Sequence, residues 1–273
     1  MSGAGAVRSG LAEVSGGQLY YEMAGAGHPL VLTHEGIADH RMYDDQFAVF
    51  AERYQTIRYD LRGFGQSSVP TAPFSYADDL AELLGALGVA RAHMLGMSMG
   101  GAASVDFALS HPAMVSALVL AGSALGGFPM PDPSDNPIAA EFAAAKAAKD
   151  YPRLAELAVR VWVVGAGRTA DEVDPLVRQR VAEMELHNLA READEDYARE
   201  LEPPAYGRLG AIRVPTLVIV GDRDIPPILR VADALASGIA GARKVVMPNT
   251  AHVPNMEQPA AFNQLVLSFL AGV

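Results

Sequence analysis

The chain contains no cysteine. Disulfide staples and thiolate metal sites are therefore excluded, and a reducing, cytoplasmic setting is the natural expectation. No run of about 18 uninterrupted apolar residues occurs, so no membrane span is expected. Met1 to Gly10 lacks the apolar stretch of a signal peptide. Basic clusters are missing too: 21 Lys and Arg stand against 32 Asp and Glu, for a formal net charge of −11. Binding to duplex nucleic acid needs concentrated positive charge, so nucleic acid is not an expected partner. The acidic balance also argues against anionic membrane surfaces. The histidines are scattered, with no His-Glu-x-x-His pattern, and no glycine-rich loop ends in the Lys-Ser/Thr of a phosphate site. Neither a metal nor a cofactor is expected, which leaves a small molecule as the partner.

What remains is a chain of 273 residues, half of them hydrophobic. That length suits one large α/β domain with an insertion, and it needs no staples to bury a core. Leu11–Ser15 and Gln18–Met23 flank Gly16-Gly17 and predict a β-hairpin. Pro29–Thr33 is a short buried strand running into His34-Glu35-Gly36. Tyr43–Arg53 has helical spacing with Phe47 and Phe50 on one face, and Gln55–Tyr59 is again strand-like. Ser75 is a helix N-cap, Leu80, Leu83, Leu84 and Leu87 form an apolar stripe, and Gly88 stops the helix. Ala92–Leu95 and Val115–Leu120 are further strands around a helix over Ala102–Leu109. Strands alternating with helices predict a mostly parallel, doubly wound sheet.

The rhythm breaks between about Gly122 and Gly210. Val159–Val164 is ambiguous, and the rest reads as helices over Ile138–Lys149, Pro152–Val163, Asp171–Leu189 and Ala193–Leu201, after a linker-like stretch at Pro129–Pro133. The expected organisation is an α/β core over 1–121 and 211–273, with a helical cap inserted over 122–210. The rhythm resumes with a strand at Thr216–Val220, a helix over Ile228–Ser237, a strand at Lys244–Met247 and a last helix over Ala260–Leu270.

The chemistry-bearing motif is Gly96-Met97-Ser98-Met99-Gly100. Gly-x-Ser-x-Gly is weak alone, but here it follows a strand and opens a helix. Glycines relieve crowding at such a turn, and the hydroxyl is placed at a helix N-terminus where backbone N–H groups face the reaction. A serine needs a base. His252, in the loop after the last strand, is the candidate, because that loop can reach the carboxyl edge of a parallel sheet. His28, His40, His93, His111 and His187 have no matching partner in the sequence. The base needs an orienting carboxylate. Asp224 is preferred, with Asp222, at the strand end, as the alternative that serves the turn.

With these residues in chain order Ser, Asp, His, the chain resembles the α/β-hydrolase superfamily over nearly its whole length, and within it the esterase, lactonase and cofactor-free haloperoxidase-like group. Asp60-Leu61-Arg62-Gly63-Phe64-Gly65-Gln66-Ser67, Gly221–Asp224, and Glu257 with Pro259 beyond His252 carry the resemblance further. It implies a Ser98–His252–Asp224 triad and an oxyanion hole made by two backbone N–H groups, those of Met99 and Gly36, with Ile37 as the register alternative. Glu35 stands where the family usually carries glycine. A carboxylate there is expected to point away, to be neutralised by a partner, or to serve as a second acid or base or a substrate-orienting group. Met97 and Trp162 are further candidates for the substrate pocket. The implied reaction is hydrolysis of a small, largely apolar ester or lactone through an acyl-enzyme. Alternatives on the same fold are a carbon–carbon bond hydrolase and a small-molecule receptor. Dehalogenases and epoxide hydrolases of this fold would carry Asp at position 98.

Overall fold

The computed structural model describes residues 6–131, 138–191 and 197–273. Its frame is an eight-stranded sheet in the order β1-β2-β4-β3-β5-β6-β7-β8. The strands are β1 (Arg8–Val14), β2 (Gly17–Ala24), β3 (Pro29–Thr33), β4 (Gln55–Tyr59), β5 (Ala92–Met97), β6 (Val115–Ala121), β7 (Thr216–Gly221) and β8 (Arg243–Met247). β1 and β2 form the predicted hairpin, and β2 pairs antiparallel with β4. From β4 through β8 every pairing is parallel.

The central strands are short apolar runs because both of their faces are covered. Successive side chains point to opposite sides, so neighbours in sequence enter different cores. Val31, Ile57, Met94, Leu118 and Val218 belong to one core. Leu30, Leu32, Leu95, Val119 and Leu217 belong to the other. Helices supply both covers. Flanking the strands are α1 (Asp44–Ala51), α2 (Tyr76–Ala86) and α3 (Met99–Ser110). The Ser75 hydroxyl accepts the Asp78 N–H at 3.3 Å and caps α2, and Gly88 follows its end at φ +71°.

Between β6 and β7 lie α4 (Ala139–Ala147), α5 (Tyr151–Ala158) and α6 (Pro175–Leu189). The sequence places the start of the third of these at Asp171. It begins at Pro175 instead, because Pro175 sits at the first helical position and the Asp174 carboxylate accepts the Leu176 N–H at 2.8 Å. Val159–Val164, ambiguous from its valines, is a wide π-helical turn continuing α5. The predicted helix over Ala193–Leu201 lies partly outside the described residues. At 197–201 the chain is not helical, and Ala198 bridges Phe74. α7 (Pro226–Gly238), α8 (Pro254–Glu257) and α9 (Pro259–Leu270) complete the order. No described helix is long and apolar enough to cross a membrane.

Candidate active site

The parallel strands deliver four segments to one edge of the sheet: His34–Gly36 after β3, Ser98 after β5, Asp224 after β7 and His252 after β8. In open parallel sheets that edge is where ligands bind.

β5 ends at Met97 and α3 begins at Met99, so Ser98 alone makes the turn. Its φ of +49° and ψ of −115° lie in a sparsely populated region, a strain of about 1–3 kcal/mol for a residue with a Cβ. The turn is held by the Ser98 N–H on the Ala121 carbonyl at 3.1 Å and by the Ala124 N–H on the Ser98 carbonyl at 3.0 Å. Contact explains the flanking glycines. A Cβ on Gly96 would strike the Gly100 carbonyl and the Ser104 hydroxyl, and one on Gly100 would strike the carbonyls of Thr33 and His34. The second contact lets the loop after β3 lie against the head of α3. A Cβ built on Gly36 would stand only 3.8 Å from Met99 Sδ. The Met99 N–H is an orphan donor of the first helical turn. Ser98 is half-buried, and among the described residues its hydroxyl makes no hydrogen bond. Contacts of this kind are often long until substrate arrives.

His252 Nδ1 lies 2.8 Å from Asp224 Oδ2. Asp224 accepts, so Nδ1 carries the proton and Nε2 is left as the basic atom. The other Asp224 oxygen accepts the Ile225 N–H at 2.7 Å. Asp222 is occupied elsewhere, accepting the Asn249 N–H at 2.7 Å in the β8 turn. Burial by itself lowers the pKa of His252. The Asp224 carboxylate, and Glu35 after it, more than offset this and raise it above the ordinary histidine value.

Trp162 sits on the π-helical turn with its ring 4.5 Å from that of His252, and its carbonyl accepts the His252 N–H at 3.1 Å. A buried ion pair ties these two segments together. Arg168 donates to the Val163, Val164 and Asn249 carbonyls and pairs with Glu257 at 2.6 Å. Glu257 in turn accepts the Ala251 N–H at 2.6 Å. The sequence marks Glu257 but carries no local signal for its partner 89 positions earlier.

Glu35 turns inward. It is 1% exposed, Oε2 lies 3.6 Å from His252 Nε2, and neither carboxylate oxygen has a hydrogen-bond partner among the described residues. Burial pushes its carboxyl up to about 7; His252 lowers it and Asp224 raises it by smaller amounts. His34 is fixed by its neighbours. Its Nε2 accepts the Leu61 N–H at 2.9 Å, so Nδ1 carries the proton and donates to the Glu35 carbonyl at 2.7 Å. Met97 is fully buried in the second core, so its side chain packs rather than opening to solvent.

Several histidines that have no partner in the sequence acquire one in space. His40 Nδ1 lies 2.7 Å from Asp60, His28 and His93 share the Ser116 hydroxyl, and His187 reaches the Gly65 carbonyl. Asp39, His40 and Asp60 bring three possible metal donors together. The two carboxylates already accept hydrogen bonds: Arg41 holds Asp39, while His40 and the Gln66 N–H hold Asp60. A cleft of about 650 Å³ is lined by residues that include Gly36, Phe64, Phe74, Tyr151 and Leu154.

A family model for the alpha/beta hydrolase fold matches residues 29–162. The 2-hydroxy-6-oxononadienedioate/2-hydroxy-6-oxononatrienedioate hydrolase of Escherichia coli is 32% identical over 236 residues, covering 80% of this chain and 77% of its own length. The chain belongs to the α/β-hydrolase fold family. This hydrolase is also 29% identical over 257 residues to carboxylesterase YbfK of Bacillus subtilis, covering 89% of the chain and 80% of the relative. Among solved structures, the enol-lactonase from Burkholderia xenovorans LB400 superposes with a TM-score of 0.78 at 27% identity, over 96% of this hydrolase and 100% of that chain.

Proposed function

We propose that this hydrolase cleaves a small, largely apolar ester or lactone by acyl transfer, with Ser98 as nucleophile, His252 as base and Asp224 as its orienting carboxylate. The observation that carries the reading is Ser98 at φ +49°, held at the head of α3 on the sheet edge that also bears the hydrogen-bonded His252–Asp224 pair.

Nε2 of His252 takes the Ser98 proton as the hydroxyl oxygen attacks the carbonyl carbon. Backbone N–H groups of Met99 and Gly36 hold the resulting oxyanion. One such donor is worth about 100- to 1,000-fold in kcat. His252 then protonates the departing alcohol and later activates water against the acyl-enzyme. Residues 122–210 act as the cap. Trp162 covers His252, and the cleft that Gly36 helps to line admits the substrate. The chemistry is carried by these groups and water.

The test is labelling by a fluorophosphonate and burst acylation by an activated ester. Wild type is expected to show both and Ser98→Ala neither. Labelling that persists in Ser98→Ala would overturn the assignment. A second reading, hydrolysis of a carbon–carbon bond in a vinylogous diketone, is supported by the 32% identity to the Escherichia coli hydrolase. Turnover of such diketones with inertness toward simple esters and lactones would favour it.

A further inference from the structure

Glu35 presents a buried carboxyl whose two oxygens have no partner among the described residues, aimed at the catalytic edge. Leaving such a group unsatisfied costs about 1–3 kcal/mol or more, so the position calls for a ligand atom. Its separation from His252 Nε2, 3.6 Å, is too long for a hydrogen bond. It is short enough for one oxygen to lie within about 2.8 Å of both atoms. In acyl transfer, the oxygen that meets Nε2 after the adduct forms is that of the leaving group.

We propose that Glu35 is a catalytic residue that works as a neutral carboxylic acid, donating a hydrogen bond to the leaving-group oxygen beside His252. The proposal rests on the acyl-transfer reading above. When the tetrahedral adduct collapses, the bond from the carbonyl carbon to the leaving oxygen breaks and its electron pair stays on that oxygen. The Nε2 proton of His252 moves to the same oxygen, and the acyl group stays on Ser98. Glu35 keeps its own proton. Only its hydrogen bond strengthens as charge develops.

The neutral form is the useful one. An ionised Glu35 would hold His252 as imidazolium and remove the base, and it would repel the oxyanion at Gly36. Two titratable groups act on Glu35, His252 and Asp224, and Glu35 in turn raises the Tyr43 hydroxyl. The Tyr43 hydroxyl donates to the Thr33 carbonyl at 2.9 Å, so its proton is committed elsewhere. Burial raises the carboxyl to about 7 and keeps the acid populated at and below neutrality. The substrate class follows. A second donor helps most where the leaving group is an ordinary aliphatic alkoxide, so alkyl esters and aliphatic lactones are the preferred substrates.

The test uses two esters of one short acid, ethyl and p-nitrophenyl, with kcat/KM measured against pH for wild type, Glu35→Leu and Glu35→Gln. Glu35→Leu is expected to lose about 10- to 100-fold on the ethyl ester, the worth of a hydrogen bond to a charged group. On the p-nitrophenyl ester, whose leaving group needs little help, the loss is expected to stay under about threefold. Glu35→Gln keeps an N–H donor, so it should retain most ethyl-ester activity and lack the fall above about pH 7 that is expected of wild type. Equal loss on both esters by Glu35→Leu, or a Glu35→Gln as poor on the ethyl ester as Glu35→Leu, overturns the proposal. If Glu35→Leu does not fold, the near-isosteric Gln variant decides through its pH profile: an alkaline fall like that of wild type overturns the proposal. Wild type that hydrolyses neither ester overturns this proposal, and if Ser98 is also not labelled by a fluorophosphonate, the acyl-transfer reading falls with it.

Discussion

Two buried carboxylates stand at the ends of adjacent strands and meet opposite fates. Asp60, one residue past β4, is fully buried and accepts from the His40 N–H at 2.8 Å, His40 Nδ1 at 2.7 Å and the Gln66 N–H at 2.8 Å. Gly65 is left-handed at φ +48°, and a Cβ there would strike the Asp60 carboxylate. Glu35, two residues past β3, is equally buried and accepts nothing from the described residues. Burial is the same and satisfaction differs. A carboxylate saturated by its own fold is a structural group, and one left unsatisfied beside a base is available for chemistry.

The first way to break this comparison is to remove the saturated member. Asp60→Ala deletes the acceptor of three donors, two of them buried, and removing one partner of a buried charged network costs about 3–5 kcal/mol. Urea unfolding should show that loss. A change below about 1 kcal/mol would mean that the Asp60 network is not what holds the corner.

The unsatisfied member should behave in the opposite way, and increasingly so as pH rises from about 4.5 to 7. Burial pushes the Glu35 carboxyl up to about 7, from about 4.5 for a free glutamate. A raised folded pKa means that the carboxyl contributes its full stability below the unfolded value and loses it as pH rises through the folded one. Wild type therefore weakens relative to Glu35→Gln between about pH 4.5 and 7. Above that window Glu35→Gln should be the more stable protein, by on the order of 3 kcal/mol. At pH 4.5 the two should melt nearly together. A pH-independent difference in Tm would place the carboxylate in a satisfied environment and erase the contrast with Asp60.

The contrast also marks what the sequence could carry. Gly96–Gly100 is legible because its spacing is local: strand, single-residue turn and helix all lie within one short stretch. The alternation of apolar strands with helices is legible for the same reason. Val159–Val164 is not, because its β-branched run suits a strand. The π-helical turn is held by the His252 N–H, far along the chain, on the Trp162 carbonyl, and by Arg168 on the next two carbonyls, whose own anchor is the distant Glu257. The facing of Glu35 and His252 joins positions 217 apart in number, and no local pattern encodes it. His40 reads as partnerless for the same reason, since Asp60 reaches it only through the fold. Asp222 and Asp224 are two residues apart and chemically identical, so only the backbone separates them.

That pair supplies the smallest test. Asp222 extends the class of satisfied carboxylates to a half-exposed turn, where its oxygen accepts the Asn249 N–H and supports a residue at φ +57°. Asp222→Ala should cost about 1 kcal/mol, the net worth of one hydrogen bond. Because Asp222 holds the Asn249 N–H while Asp224 holds the His252 ring, kcat on any substrate found should stay within about twofold of wild type. Chemical denaturation and steady-state kinetics on the same preparation measure both. A large fall in kcat with unchanged stability would transfer the orienting role from Asp224 to Asp222. It would also mean that hydrogen-bond satisfaction does not separate the structural carboxylates of this edge from the reactive ones.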